Sequence, residues 1–445
     1  VNTRTSWIVF WIGALAYMVA VLQRATMGVA GVAAVERFDA SAAAFSTLAV
    51  MQLVIYAGMQ VPVGVLIDRL GPRVLIIFGL GLLAVGQVIL AIADQLGVAV
   101  LGRILVGAGD AAIFVSVLRL ISSWFTGKWV PQLSQWIGNI GQLGQVLSAL
   151  PFAWVLHKFG WSPAFLSAAA LCVLALVLVL ATVRDRPRDA PVPPPVGTWG
   201  QSVRELGMAL RRPGTQLGFW SHFTTQSPGT VFSLLWGIPF MVYGLGFTEG
   251  FAAAMLLVVV ASGIAIGPVL GLLSARYPYR RSNIVLGLVF AIAVAWAAVL
   301  LWPGTPPLWL VIILLVAMGA GGPGSLIGFD FARTYNPSRV LGSANGLVNV
   351  GGFSASFVIM FLMGVILDLV GGHGGPPAEV YSLHSFRFAM IVQFVVIAFG
   401  VVMLFRARRR TRSILSEDGI EVGPVWVAMI ARLRRKDGRD GQDAS

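Results

Sequence analysis

Three ionisable residues stand where ionisable residues are costly. Arg24, Arg103 and Asp110 lie inside long apolar runs of a 445-residue chain, and a charge at the centre of a bilayer costs at least about 2.5–3.5 kcal/mol on insertion scales. Arg103 and Asp110 are seven residues apart, which places them on one helix face two turns from each other. Counted from the outer end of their helix near Val98, Arg103 lies about 7 Å deep and Asp110 about 18 Å, close to the midplane. A carboxylate at that depth needs a cavity or a partner, and the chemistries open to it are proton exchange and cation pairing. Asp110 is therefore the expected proton-coupling residue; a structural ion pair with Arg103 or Arg24 is the alternative. Arg24 falls late in its helix, near the outer boundary, where it can snorkel to headgroups or pair. Otherwise, two arginines against one carboxylate leave a positive cavity suited to an anionic group.

Around these charges lies a sparse polar inventory: Gln142 and Gln145, His222 and Gln226, Asn345 and Asn349. His222 is the second candidate for proton coupling, since imidazole titrates near neutral pH. The amides, with Arg24, Arg103 and Trp236, form the expected substrate-binding set, against the plainer reading of interhelical hydrogen bonding. Trp236 opens the stretch Trp236-Gly237-Ile238-Pro239-Phe240, where a proline can break the helix and act as a hinge or a simple kink. The chain has no Walker-type phosphate loop, no H-E-x-x-H zinc pair and no G-x-S-x-G nucleophile elbow. Its single cysteine, Cys172, permits no internal disulfide or cysteine metal site. Neither an enzyme nor a cofactor or metal is expected.

These residues must be positioned by membrane helices. The chain is 57% apolar and 11% charged, far from the roughly quarter-charged make-up of soluble domains. Apolar runs of spanning length fall at 6–33, 45–67, 74–93, 97–121, 134–157 and 162–183, then at 215–243, 250–274, 282–302, 308–331, 343–369 and 386–405. That pattern predicts an all-α polytopic protein of two six-helix bundles, 1–183 and 215–405, joined by a Pro- and Arg-bearing linker at 184–214 and followed by a basic tail at 406–445. The tail reads equally as an amphipathic surface helix or as a solvated segment. Of the 31 basic residues, all but Arg24, Arg103, Arg37, Lys158 and Arg387 fall in segments on one side of this topology. Cytoplasmic loops are rich in Lys and Arg, so both termini are expected inside. The net charge of +13 sits in loops as a topology signal, so nucleic acid is not an expected partner.

The most specific motif joins the second and third runs: Gly64-Val65-Leu66-Ile67-Asp68-Arg69-Leu70-Gly71-Pro72-Arg73. It resembles the G-x-x-x-D-R-x-G-R-R loop signature of the major facilitator superfamily, with Pro72 in place of an arginine. A degenerate copy from Gly271 to Arg280 includes Arg276 but has Ala275 at the acidic position, and Gly138-Asn139-Ile140-Gly141 echoes Val348-Asn349-Val350-Gly351. Arg103, Gly107 and Gly109 match the superfamily's R-x-x-x-G-x-G pattern. The Trp236 stretch and the segment from Gly328 to Pro337 resemble an actinobacterial branch of poorly defined substrates. The resemblance implies twelve helices in two pseudo-symmetric bundles. It further implies gating by Gly64, Asp68, Arg69, Gly71, Arg73 and Arg276, with Asp68 facing the N-terminal end of the eleventh helix near Gly342 to Asn345.

The function expected is secondary active, proton-coupled transport of a small polar or anionic solute by alternating access. The expected setting is a monomer in a bacterial cytoplasmic membrane, with protons, the solute and the bilayer as partners. A drug or lipid exporter is the second reading; helix five lacks the Gly-Pro pair of many drug exporters. A membrane-embedded enzyme or a receptor comes third.

Overall fold

The computed structural model describes residues 3–38, 42–187, 189, 198–371 and 380–417. The expectations for the proline run at 191–195 and for the tail beyond 417 lie outside the described residues. The first six long helices are α1 (Arg4–Val29), α2 (Ala42–Leu70), α3 (Pro72–Ile92), α4 (Leu96–Trp124), α5 (Trp129–Leu147, a π turn at Ser148–Phe152, then Ala153–Phe159) and α6 (Trp161–Thr182). The second six are α7 (Pro213–Val231, π turns at Phe232–Trp236 and Phe240–Gly244 around Gly237–Pro239), α8 (Glu249–Arg276), α9 (Arg281–Leu301), α10 (Leu308–Gly319 and Gly321–Tyr335), α11 (Leu341–Gly371) and α12 (Leu383–Ala389 and Ile391–Glu417). They form two pseudo-symmetric six-helix bundles.

Local chemistry explains where the helices begin. Thr3, Thr248 and Ser382 accept backbone N–H bonds of 3.2–3.3 Å at the starts of α1, α8 and α12, satisfying donors that have no intrahelical partner. Pro72 and Pro213 occupy first-turn positions of α3 and α7, where a missing N–H costs nothing. Proline also accompanies the wide turns, Pro151 inside that of α5 and Pro239 between those of α7. Two boundaries depart from hydropathy. The first helix stops at Val29, and a separate short helix, Gly31–Phe38, follows, because Gly28 and Gly31 flank the join and weaken the helix there. At the other end α12 continues past 405 to Glu417: arginine is a good helix former, and Leu404, Ala407, Thr411 and Leu415 keep one face buried. The linker contains an amphipathic helix, Trp199–Arg211, begun by a reciprocal Thr198/Gln201 capping box.

Ten of these helices are long and apolar enough to cross a membrane; α5 and α7 fall outside that set. They carry Gln142, Gln145, His222 and Gln226, and a helix this polar is tolerated only beside protein or a cavity. One core, around Leu80, Ile113, Phe125 and Phe165, fills the first bundle and continues across the seam into Phe329, Leu341 and Val348. The second bundle has its own core around Phe240, Trp296, Leu314 and Phe386. An arginine holds the C-terminal end of the third helix of each bundle. Arg37 donates to the Ala93 carbonyl and to Asp94, both at 2.7 Å, and Arg387 donates to the carbonyls of Trp302 at 2.6 Å and Gly304 at 2.9 Å. Cations favour that end of a helix.

Candidate functional site

Packing sets the level of each charge. Phe10 of α1 meets Phe125 just past the end of α4, Gly13 meets Val117, and the Arg24 level meets Asp110, so the two helices run antiparallel. In a helix the Cα–Cβ bond leans toward the N-terminus. Arg24 therefore leans toward the midplane, Asp110 leans outward along α4, and the two converge. Arg24 Nε donates to Asp110 Oδ2 at 2.7 Å and its Nη2 to Oδ1 at 2.9 Å, a bidentate geometry that only a guanidinium supplies. Snorkelling of Arg24 to the headgroups is thereby corrected: its stem points the other way and its fork is engaged. The Asp110 side chain is fully buried, and that of Arg24 is 28% exposed.

Arg103 is one layer further out and does not pair with Asp110, although the two share a helix face. It is 2% exposed, donates to Gln52 Oε1 and lies within 3.5 Å of the carbonyls of Gln23 and Arg24. Among the described residues no carboxylate stands within 4 Å of it. The three charges thus sum to a net positive centre, with Arg103 buried and Arg24 the partly exposed member. The Arg24 guanidinium also lies 4.8 Å from the centre of the Tyr56 ring, a favourable cation–π distance.

Tyr56 connects this centre to the second bundle. Its hydroxyl accepts from Asn349 Nδ2 at 3.2 Å, and the same amide donates to Gln60 Oε1 at 2.7 Å. One helical turn inward of Asp110, an aromatic floor crosses the molecule: Tyr17 packs on Phe114, Phe114 on Phe329, and Phe329 on His222, with centroids 5.0–5.6 Å apart. His222 is 3% exposed; its Nδ1 lies 3.1 Å from the Ser325 carbonyl, and Nε2 is buried with no partner among the described residues. Gln226 accepts from Ser325 Oγ at 3.0 Å and donates to Thr230 at 3.2 Å. The other predicted residues also remain apart from the ion pair. Trp236 donates to the Met360 carbonyl at 3.2 Å within an aromatic cluster, Gln145 is exposed on α5, and Asn345 is 3% exposed with an unpartnered Oδ1. Gln142 likewise has a buried Oε1 without a partner among the described residues.

Nearer the Asp68 end, the bundles are fastened. Asp68 sits at the N-terminus of α11, where Oδ1 accepts from Gly342 N and Oδ2 from Ser343 N, each at 2.7 Å, and from Ser343 Oγ at 2.8 Å. Orphan donors and the positive end of the helix dipole make this an anion site. Gly64 allows the approach, since a Cβ there would lie 2.6 Å from the Gly342 carbonyl oxygen. Gly71 holds φ at +84° beside the Asp185 carboxylate, which accepts from Arg73 N at 2.7 Å; Arg73 Nη2 donates to the Leu180 carbonyl at 2.7 Å. Arg69 stacks 4.0 Å from the Trp199 ring and donates to Ser202 at 2.8 Å. In the second bundle Arg276 lies 5.8 Å from the Tyr277 ring. With Ala275 at the acidic position, α8 makes no carboxylate link to α5 among the described residues, though Asn139 Nδ2 donates to the Ile264 carbonyl at 3.1 Å; Ser274, Arg281, Arg333 and Asp330 are bonded within the second bundle.

Sequence reasoning did not single out Gln52, Tyr56, Gln60, Arg119 or Asp185. Arg119 donates to the Ser338 carbonyl at 2.8 Å, adding a second fastening beside Asp68. Polar residues among α2's apolar run were the available signal for Gln52 and Gln60.

Two six-helix bundles around a buried ion pair, sealed at one end by a carboxylate on a helix N-terminus, define a membrane transporter. The chain belongs to the Major Facilitator Superfamily, whose family model matches residues 13–360. It is similar to a triacylglyceride transporter of Mycolicibacterium hassiacum, with 33% identity over 125 residues, 27% of this chain and 23% of that protein. Human monocarboxylate transporter 11 is 28% identical over 366 residues, 77% of this chain and 69% of that one. The chain spans less than a third of the length of the first curated relatives it matches. In fold it resembles the transporter FucP in its outward conformation, with a TM-score of 0.65 at 15% identity, covering 89% of this chain and 99% of that one.

Proposed function

We propose that the chain is a proton-coupled carrier of a small anionic solute in a bacterial cytoplasmic membrane, with both termini inside and the bundles, 1–183 and 215–405, rocking about the central ion pair. The observation that carries this reading is Arg24: a partly exposed side chain whose guanidinium is held by a fully buried Asp110, with the unneutralised Arg103 nearby. An anion reaching Arg24 meets net positive charge and a planar fork suited to carboxylates. When Arg24 turns to the solute, Asp110 is left to take a proton, and His222 is the reserve site for one. The similarity to a monocarboxylate transporter agrees with an anionic solute. Similarity to a triacylglyceride transporter favours a second reading, lipid export.

Proteoliposomes loaded with the purified protein test both. Uptake of short carboxylates should rise when the opposite face is alkaline and collapse when the gradient is dissipated. Gradient-independent carboxylate flux removes the proton coupling, and triacylglyceride movement without carboxylate flux replaces the first reading by the second.

The Asp68 contacts fasten one end and act as a latch favouring the state open at the other. Asp68→Asn keeps an acceptor but loses the charge, worth about 0.3–1 kcal/mol at a helix N-terminus. Folding should survive, while cysteines placed in the aromatic floor should become several-fold more accessible from the Asp68 side. Unchanged accessibility and unchanged flux would make Asp68 a turn residue only.

A further inference from the structure

At the end of the molecule opposite Asp68, α9 and α12 do not close on one another along their outer surface. They leave a groove of about 370 Å³ lined by Ala297, Leu300, Leu301, Phe388, Ile391 and Phe394, with Arg387 at its rim. That volume lies within the usual range of ligand sites, about 300–1,000 Å³, and so exceeds a packing defect. Both walls belong to membrane-spanning helices, and Leu301, Ile391 and Phe388 are 82%, 52% and 47% exposed, so the groove opens to the bilayer rather than to the central site. Arg387 is fixed at this level by the carbonyls of Trp302 and Gly304, and Trp302 packs edge-on against Trp309 at 5.9 Å. Tryptophans of this kind mark the headgroup level. Among the described residues no carboxylate lies within 4 Å of Arg387, so its charge faces the rim unneutralised.

We propose that this groove holds one anionic phospholipid of the leaflet at that end, an acyl chain lying along Leu301, Ile391 and Phe394 and the phosphate resting against Arg387. The groove offers the acyl chain close packing rather than a hydrophobic gain, because lipid tails are as apolar as its walls, while the cation distinguishes an anionic headgroup from a zwitterionic one. The site is separate from the transported solute and independent of its identity.

The full chain in detergent, titrated with phosphatidylglycerol or phosphatidylcholine and read by native mass spectrometry, tests the proposal. One phosphatidylglycerol should be retained about tenfold more strongly than phosphatidylcholine. Arg387→Gln should abolish that preference. Ala297→Phe, which fills the groove and leaves the Arg387 hydrogen bonds in place, should weaken retention of both lipids and covers the case in which Arg387→Gln fails to fold. Equal retention of the two lipids by the unmodified chain, or retention indifferent to Ala297→Phe, overturns the proposal. A dimer that Ala297→Phe dissociates also overturns it, assigning the groove to a second copy of the chain.

Discussion

Asp110→Asn is expected to yield a carrier that exchanges solute across the membrane but no longer concentrates it against a pH gradient. Exchange returns the ion pair to its starting state without net proton movement, whereas accumulation requires the carboxylate to load and unload a proton in each cycle. The stability effect separates this role from a structural one. Removing one partner of a buried pair costs roughly 3–5 kcal/mol, because the other charge is left uncompensated. Arg24, 28% exposed on its side chain, can turn toward the central space, so the loss should sit at the lower end of that range. The double variant Arg24→Gln/Asp110→Asn should recover much of the lost stability and none of the accumulation; the coupling is read from a double-mutant cycle of unfolding midpoints in detergent. Accumulation at the normal level in Asp110→Asn would leave Asp110 structural and move the search to His222.

The second large effect belongs to the seam between α2 and α11. A Cβ at Gly346 would lie 2.3 Å from the Gln60 carbonyl oxygen, and one at Gly342 would lie 2.5 Å from that of Gly64. These are backbone atoms within two long helices, so neither neighbour can yield by changing rotamer. Gly346→Ala should therefore force the bundles apart at the Asp68 end rather than unfold either one. Overpacking typically costs about 1–3 kcal/mol, which corresponds to a five- to 150-fold shift toward the state open at that end. Cys172 is the single cysteine and is buried, so Cys172→Ser gives a clean background. In it, Asn345→Cys should be labelled by thiol reagents at least tenfold faster when Gly346→Ala is added. An unaltered labelling rate with normal transport would mean that the seam has slack that its close contacts hide.

How much of this was legible in the sequence differs between the scaffold and the site. Spanning runs and their punctuation are local properties, so twelve helices could be placed from hydropathy alone, including α5 and α7, whose polar residues keep them outside the apolar set. Boundaries governed by other forces were missed. The α12 extension is held by helix propensity and a buried stripe, and the α1 break by two glycines. For the site, the sequence marked Arg24, Arg103 and Asp110 as charges needing partners, but pairing across 86 positions depends on which helices touch. Hydropathy carries no such information, and Arg103 proved to be partnered by Gln52 and backbone carbonyls. The Asp68 contact was accessible through the resemblance, which supplies the helix pairing that periodicity lacks. Tyr56 and Gln60 were not: their bonds to Asn349 span up to 293 positions, and nothing in their local sequence separates them from ordinary span residues.

The π turns of α5 and α7 bear on motion in a way that the hydrogen bonds do not. A π turn holds one residue more than an α turn, so the segment beyond it is screwed by about 100° relative to an uninterrupted helix. That surplus residue can pass along the helix axis by exchanging one backbone bond at a time, with no strand of the bundle having to unravel. Among the described residues, two of the twelve rods therefore contain a dislocation, and both carry polar side chains deep within the span. Their outer tips can rotate and advance like a thread in a nut while the seam beneath them stays fastened.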